Sequence, residues 1–263
     1  MIFPAEILIM IAFNLYAVDL GNFRLANSDL SRLFAPLVAR NGISIMNTSE
    51  CLRDLQELLE WNKIADAARK LTIYFGEWPV CVQLSDWKTH HLLYGHGISN
   101  KRLLQTRGME YADKAFLRYS AFIADEQDRE FQDDINAIFK ALMSFRRLST
   151  VVISDMQNWA WNPPQLQKYE KLRDEIWMAP CTTTLVAAGV QTFLLAFAKL
   201  PENNNIKEIS IEGAFDPAHV FLGSASSFFR GIRRLHVNSF QVQHNQDTIR
   251  KFLQAFPDLV HTE

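Results

Sequence analysis

The sequence predicts an α/β fold in which helices alternate with parallel strands. Short runs rich in β-branched residues, such as 148–153 and 206–211, each follow a segment whose apolar residues recur at helical spacing. Three late segments also share one layout: a helix with apolar or aromatic residues, a short polar joint and an alternating strand. Because stacked units of this kind line their strands along one parallel sheet, we interpret the chain as an irregular strand–helix solenoid.

The spacing of the late strands is similar to that of leucine-rich repeats. Strands are predicted at 43–45, 71–75, 148–153, 206–211, 235–237 and 259–260. The last two follow their predecessors at intervals of about 25 residues, within the ~20 to 29 of leucine-rich repeats. Earlier intervals are longer, so the array is irregular. Because a terminal repeat normally carries a polar cap, a chain that stops at a strand is expected to be a fragment or to fray there.

The composition indicates a folded protein without a strong charge bias. The chain has 263 residues, of which 48% are hydrophobic, enough for a sizeable core. Its 27 basic and 29 acidic residues give a net charge of -2, so binding to nucleic acid or to a membrane is not expected. The three cysteines, Cys51, Cys81 and Cys181, are far apart and odd in number. This favours reduced residues in an intracellular protein of the cytoplasm or nucleus.

The apolar start of the chain has two alternative interpretations, a targeting segment or a core-facing helix. No basic region precedes it, and polar or helix-breaking residues interrupt it at Pro4, Glu6, Asn14 and Asp19. A spanning helix needs roughly 20 mainly apolar residues, which this stretch does not supply. The core-facing helix is therefore preferred.

Three short helices are predicted within residues 1–41. The first has apolar residues at helical spacing, Ile7, Leu8, Ile11 and Leu15. Asp19 can cap the second helix, and Ser28 or Asp29 the third. A fourth helix is predicted at 52–59 and a longer helical stretch at 109–145. Residues 42–263 would then form the repeat region.

Residues 78–108 show no regular period and are predicted to be a long insertion. Three histidines lie within it, His90, His91 and His96. Adjacent histidines point in different directions, and only Asp86 lies near enough in sequence to support a metal site. We therefore expect no metal and no cofactor.

Six acidic residues lie close together in the middle of the chain: Asp125, Glu126, Asp128, Glu130, Asp133 and Asp134. Paired carboxylates in a cleft can do acid–base chemistry, but nothing in the sequence indicates that these are buried. The pattern favours a solvated helix start, stabilised by the helix dipole. No serine or cysteine lies in a nucleophile motif, so no catalytic residue and no enzymatic activity are expected.

An arginine cluster, Arg230, Arg233 and Arg234, lies beside a predicted strand. Arginine forks pair well with phosphate and with carboxylates, so a phosphate or an acidic peptide is one possible ligand. A solvated sheet edge is the alternative interpretation, and the sequence favours it.

The N-terminal 41 residues resemble an F-box. The matching residues are Phe3-Pro4-Ala5-Glu6-Ile7-Leu8, Ile11, Leu15, Asp19-Leu20, Arg24-Leu25, Leu30, Leu33 and Pro36. A short F-box followed by degenerate leucine-rich repeats is similar to a large group of fungal F-box proteins. The resemblance implies docking onto the Skp-type adaptor, and through it a cullin, of a cullin-RING (SCF-type) ubiquitin ligase. The adaptor-binding residues that it implies are Phe3, Pro4, Ile7, Leu8, Leu20 and Arg24.

On this resemblance the chain is expected to be a substrate receptor without bond chemistry of its own. The repeat region would hold a protein target, of unknown identity, near a ubiquitin-loaded enzyme. Two alternatives remain open. The first is an interaction protein of the same architecture without ligase attachment. The second is a small α/β enzyme whose apparent repeats are the units of a doubly wound sheet.

Overall fold

The fold is α/β, with a sheet in which all described strands run parallel. The computed structural model describes residues 5–15, 28–40, 42–60, 62–89, 108–155, 171–178, 180, 186–220, 229–240 and 246–262. Six strands lie side by side in chain order, and every neighbouring pair is parallel. The expectation of an α/β fold with parallel strands is therefore confirmed.

The elements with described bounds follow one another along the chain. The strands are β1 (Ile43–Met46), β2 (Lys70–Phe75), β3 (Thr150–Asp155), β4 (Glu208–Phe215), β5 (Arg234–Phe240) and β6 (His261–Thr262). The helices are α1 (Ala5–Phe13), α2 (Ser28–Arg40), α3 (Ser49–Leu59), α4 (Asn62–Ala65), α5 (Leu84–Thr89), α6 (Met109–Gln127), α7 (Phe131–Ser144), α8 (Val186–Phe197) and α9 (Gln246–Gln254). A 3-10 turn spans Pro217–His219, and residues 171–176 are helical.

One face of the sheet is apolar because strand side chains alternate between two faces. Register places Ile43, Leu71, Val151, Ile209 and Leu235 side by side across β1 to β5. The last four are at most 1% exposed. A second row two residues further on, 45–73–153–211–237, is also apolar. Helices α3, α7 and α8 pack in one layer over this face.

The joints that precede the strands repeat from one unit to the next. In the joints before β2, β3, β4 and β5, one buried residue lies three positions before the residue of the apolar row. These four residues are Ala68, Leu148, Ile206 and Ile232, and each is at most 1% exposed. Equivalent positions therefore carry equivalent core residues in four successive units. A matching backbone ladder runs through the joints, since the N–H groups of Ser149, Lys207 and Arg233 each donate to the carbonyl of the preceding joint.

The last strand begins later than the sequence indicates. It was predicted at 259–260, whereas β6 spans His261–Thr262. Leu259 is half-buried and belongs to the joint. Pairing starts where the N–H of Val260 donates to the Arg233 carbonyl at 2.9 Å. The prediction from apolar residues therefore falls on the joint rather than on the strand.

Part of the predicted insertion belongs to the core. Trp87 in α5 is 0% exposed, stacks on Trp177 at 5.7 Å and donates its indole N–H to the Ile176 carbonyl at 3.2 Å. The described part of the insertion therefore packs against the helical segment 171–176. Residues 90–107, with the three histidines, lie outside the described residues.

The long helical stretch is two helices rather than one. Helix α6 ends at Gln127 and α7 begins at Phe131, with a turn at 128–130 between them. This turn brings the acidic run against the carboxyl end of β1. None of the helices in the described segments has the length and apolar character that crossing a membrane requires.

Candidate functional site

The N-terminal helices α1 and α2 form a small core of their own. Ala12 and Phe34, which are 2% and 0% exposed, lie at its centre. Partly buried apolar residues surround them: Leu8, Ile9, Leu15, Leu30, Leu33, Leu37 and Val38. This cluster is distinct from the main core beneath the sheet. The two helices therefore share an apolar interior that does not include the residues on the outer face of α1.

The outer face of α1 presents three large apolar side chains. Ile7, Met10 and Ile11 are 42%, 63% and 41% exposed and recur at helical i, i+3, i+4 spacing on one side. We call these residues the α1 stripe. Single exposed apolar residues are ordinary, but a row on one face of a short helix is typical of a contact surface.

Two of the predicted adaptor-binding residues can be placed. Ile7 lies in the α1 stripe, whereas Leu8 is half-buried against the Ala12–Phe34 core. The other four, Phe3, Pro4, Leu20 and Arg24, lie outside the described residues. Met10 and Ile11 also belong to the stripe and are not among the predicted adaptor-binding residues, because the resemblance supplied the candidate list rather than the exposure of each side chain.

The α2 helix connects this pair to the rest of the chain. Ala35 and Ala39, each 5% exposed, pack with Ile64 of α4 in a second small cluster. Ile43 of β1 and Leu58 of α3 lie beside it. The α1 stripe is thus carried on a helix pair that is fixed against the first strand unit.

The second face of the sheet is mostly polar. Register places Ser44, Thr72, Val152, Ser210 and His236 in one row across β1 to β5. Thr72 and Val152 are buried, and the other three are half-buried. The polar face is therefore more accessible at β4 and β5 than at β2 and β3.

Charged side chains on this face pair across adjacent strands. Glu208 of β4 lies 3.5 Å from the Arg234 guanidinium and 3.9 Å from Nε2 of His236, both in β5. Further along β3 and β4, the hydroxyl of Ser154 donates to the carboxylate of Glu212 at 3.0 Å. Such cross-strand pairs fix side chains on the sheet surface.

Part of the acidic run is buried, contrary to the expectation of a solvated helix start. The side chains of Glu126 and Asp134 are 10% and 8% exposed, and Arg129, at 19%, lies between them. Its guanidinium is 3.1 Å from Glu126 Oε2 and 3.2 Å from Asp134 Oδ1. Two buried carboxylates therefore share one cation. We call these three residues the carboxylate network.

The carboxylate network joins the α6–α7 turn to the start of α3. Glu126 accepts the backbone N–H of Ser49 at 2.7 Å, and Arg129 donates to the Asn47 carbonyl at 3.0 Å. The Asn47 amide donates to Asp134 Oδ2 at 3.4 Å. Asp134 Oδ1 has the ion pair but no aligned hydrogen bond. These contacts hold two parts of the chain together at the carboxyl end of β1.

Burial raises the pKa of both carboxyl groups. Desolvation is the larger effect at Glu126 and at Asp134, and the positive charge of Arg129 opposes it without cancelling it. One guanidinium does not compensate for the desolvation of two carboxylates, so the pKa of each carboxyl group stays above its ordinary value. The signal that sequence reasoning missed is Arg129 itself, a lone cation at i+3 from Glu126 and five residues before Asp134.

A cavity of about 450 Å³ adjoins the network and is lined by Arg53, Asp125, Asp128 and Lys140 among others. Arg53 lies 3.2 Å from Asp125 in an exposed ion pair. Charges of both signs line the cavity, and those of the network are already paired with one another. We assign this region a role in holding α3, α6 and α7 together.

The two described cysteines are buried, and neither forms a disulfide. Cys51 lies in α3, and Cys81 precedes α5. The backbone N–H of Cys81 donates to the Tyr119 hydroxyl at 2.7 Å, and burial raises the pKa of the Cys81 thiol. A thiol with a raised pKa is less often the reactive thiolate. Within the described segments, no group of three or more potential metal ligands is found.

The order of the described strands differs from that of a doubly wound sheet. Such a sheet binds ligands where the order of its strands reverses, at a crevice beyond their carboxyl ends. The described strands run from β1 to β6 without a reversal. In the described part of the chain, the sheet therefore has no strand-order reversal at which a doubly wound enzyme would place its site.

Comparison with known proteins gives no relative from which a role could be transferred. No family model matches the chain, and neither a curated protein nor a solved structure is significantly similar to it.

Proposed function

We propose that this chain is a substrate-receptor subunit of a cullin-RING ubiquitin ligase. The α1 stripe would dock onto the Skp-type adaptor, and the strand–helix region would hold a protein target. The observation that carries the proposal is the α1 stripe, three exposed apolar side chains on a helix whose opposite side has its own core with α2.

The energetics of the α1 stripe favour a partner. Burying apolar surface is worth roughly 25 cal/mol per Å², so covering three large side chains supplies several kcal/mol of binding free energy. Binding energy is usually concentrated in a few such anchors at the centre of an interface. Helix α2 supports the surface by fixing α1 against β1 and α4 through Ala35 and Ala39.

The repeat pattern supports the second half of the proposal. The joints and strands of β2 to β5 follow the spacing L-x-x-L-x-L with apolar residues, for example Leu148-x-x-Val151-x-Ile153 and Ile206-x-x-Ile209-x-Ile211. This is the strand signature of leucine-rich repeats. Parallel strands in chain order fit the same interpretation, and such arrays offer an extended surface for macromolecular partners.

The test is a calorimetric titration of the purified chain with purified Skp-type adaptor. The parent chain is expected to bind. The double variant Ile7→Asp, Ile11→Asp should lose at least about a hundredfold in affinity, because it places two charges in an apolar interface. Val82→Asp is the control, since Val82 is 84% exposed and lies in the segment between β2 and α5 rather than in α1.

Circular dichroism must show that both variants keep the helix content of the parent chain. Loss of binding in the double variant alone supports the proposal. Equal binding by the parent chain and the double variant would rule out the α1 stripe as the docking surface.

A second candidate function is protein interaction without ligase attachment, and the polar face of the sheet supports it. The paired charges at Glu208, Arg234 and His236 form a polar surface on the sheet. A protein partner could bind this surface without the adaptor. Failure of the parent chain to bind the adaptor would leave this candidate in place.

A further inference from the structure

A row of basic side chains lies where the strands begin. Arg69 and Lys70 stand at the start of β2, Arg147 in the joint before β3, and Arg230 and Arg233 in the joint before β5. All five are exposed. We call them the basic rim.

Backbone pairing brings these residues to the same edge of the sheet. The Ser149 N–H donates to the Arg69 carbonyl, the Lys207 N–H to the Ser149 carbonyl, and the Arg233 N–H to the Lys207 carbonyl, at 2.8 to 2.9 Å. Arg69 and Arg233 are therefore three strand spacings apart. At about 4.8 Å per strand, that is a distance of roughly 14 Å between their backbones.

The cations of the basic rim have no anionic partner in the described part of the chain. Within those segments, no carboxylate lies within the 4.0 Å ion-pair limit of any of the five. The neighbouring basic residues differ, since Arg146 pairs with Asp66 at 3.6 Å and Arg234 with Glu208 at 3.5 Å. The carboxylates of Asp66 and Glu208 are thus already engaged. Asp258 also lies at this edge, where its Oδ2 accepts the backbone N–H of Gly231 at 2.8 Å.

The basic rim contrasts with the rest of the molecule. The whole chain has two more acidic than basic residues, so gathering five unpaired cations at one edge leaves an acidic excess elsewhere. A long polyanion lying across the surface would meet that excess. A short anionic segment confined to the rim would not.

The shape of the basic rim fits an extended peptide. Alternate side chains of an extended chain are about 6.7 Å apart, so carboxylates on every second residue match cations spread over roughly 14 Å. Four of the five cations are arginines, whose forks bind carboxylates with two parallel hydrogen bonds.

Single-stranded nucleic acid fits less well. Its binding sites combine cations with exposed aromatic rings on which bases stack. In the described joints, 66–69, 145–149, 201–207 and 229–233, the aromatic residues are Phe145 and Phe229, and each is 2% exposed. Neither offers a stacking surface.

We propose that the basic rim binds an extended acidic segment of a protein partner. Each arginine would donate N–H groups to an aspartate or glutamate side chain, and the peptide would run across the starts of β2 to β5. No residue of the basic rim belongs to the α1 stripe, and the proposal does not depend on adaptor docking.

Fluorescence anisotropy of the full chain with a labelled octapeptide of alternating aspartate and glutamate tests the proposal. The rim variant is Arg147→Glu, Arg230→Glu, Arg233→Glu. The control variant makes the same charge change at exposed cations elsewhere: Arg32→Glu, Lys114→Glu, Arg250→Glu. We expect the rim variant to bind at least about tenfold more weakly and the control variant to bind as the parent chain does.

Other outcomes would overturn the proposal. Equal weakening in both variants would mean that only net charge matters, and no binding by the parent chain at low salt would exclude the peptide class. Tighter rim-dependent binding of an oligothymidine of equal length would identify a nucleic acid as the ligand instead. Adaptor titration of the rim variant separates this proposal from the ligase proposal, because adaptor binding should be unchanged there.

Discussion

Nε of Arg129 lies 3.2 Å from Oδ1 of Asp134, a carboxylate whose side chain is only 8% exposed. The contact joins the α6–α7 turn to α7 itself, and through Asn47 to the end of β1. Since Glu126 shares the same guanidinium at 3.1 Å, one cation pairs with both buried carboxylates of the network.

Arg129→Leu should destabilise the protein strongly. Removing one partner of a buried ion pair typically costs 3–5 kcal/mol, and because Arg129 is 19% exposed we expect a loss of about 3 kcal/mol in the free energy of unfolding. Urea denaturation at neutral pH measures it. Arg53→Leu is the control, because its ion pair with Asp125 is exposed and such pairs contribute about 0–1 kcal/mol. Equal losses in the two variants would contradict the account.

Asp134→Asn should flatten the dependence of stability on pH. The pKa of Asp134 is raised above its ordinary value of 3.8, mainly by burial, so the folded state holds this proton more tightly than the unfolded state. The stabilising contribution is complete below the unfolded pKa and is lost as pH rises through the folded pKa. The parent chain should therefore lose more stability than the variant between about pH 4 and neutral pH.

Urea denaturation at both ends of that pH range gives the difference. Asp128→Asn removes an exposed carboxylate from the same turn and controls for the change in net charge. A pH dependence in Asp134→Asn that equals that of the parent chain would show that the buried carboxyl is not a source of it.

Gly189→Ala should destabilise α8, opposite to the usual effect of this change in a helix. Alanine normally stabilises a helix by about 1 kcal/mol relative to glycine. Here an added Cβ would lie 2.4 Å from Cδ2 of the buried Phe75 ring, so overpacking should dominate and cost about 1–3 kcal/mol. Thermal denaturation shows whether the variant is less or more stable than the parent chain. Ala188→Gly, at the exposed neighbouring position, gives the propensity effect alone.

Trp87→Ala should cost about 3–5 kcal/mol in the free energy of unfolding, the range for deleting a large buried aromatic residue. Trp87 is 0% exposed, stacks on Trp177 and hydrogen-bonds to Ile176. Val82→Ala, at an 84% exposed site of the same segment, should change stability by less than about 0.5 kcal/mol. A small effect at Trp87 would mean that α5 is not part of the core.

Local periodicity predicted the strands well because each carries its signal in a few adjacent residues. The segments 71–75 and 148–153 have the β-branched apolar residues that lie on the buried face of β2 and β3. The last strand, predicted at 259–260, begins two residues later at His261, because Leu259 belongs to the joint and the backbone pairing that sets the strand start begins only with the N–H of Val260.

The carboxylate network could not be predicted from local pattern because its burial depends on distant parts of the chain. Asp134 is covered where Asn47, 87 residues away, meets the α6–α7 turn. Trp87 falls likewise in a stretch without local period, because the Ile176 carbonyl and the Trp177 ring that it contacts lie about ninety residues further on. Of the α1 stripe, the sequence supplied only Ile7 as an adaptor-binding candidate, whereas the exposure of Met10 and Ile11 required the structure.

The most direct test of the proposed function is the mass of the complex that the full chain forms with purified Skp-type adaptor and a cullin N-terminal domain. Size-exclusion chromatography with multi-angle light scattering gives that mass without a label. A single peak with the mass of one copy of each component is the result that the account predicts. Separate elution of this chain from an intact adaptor–cullin complex would contradict it, and would leave the strand–helix surface and the basic rim to act outside a ligase.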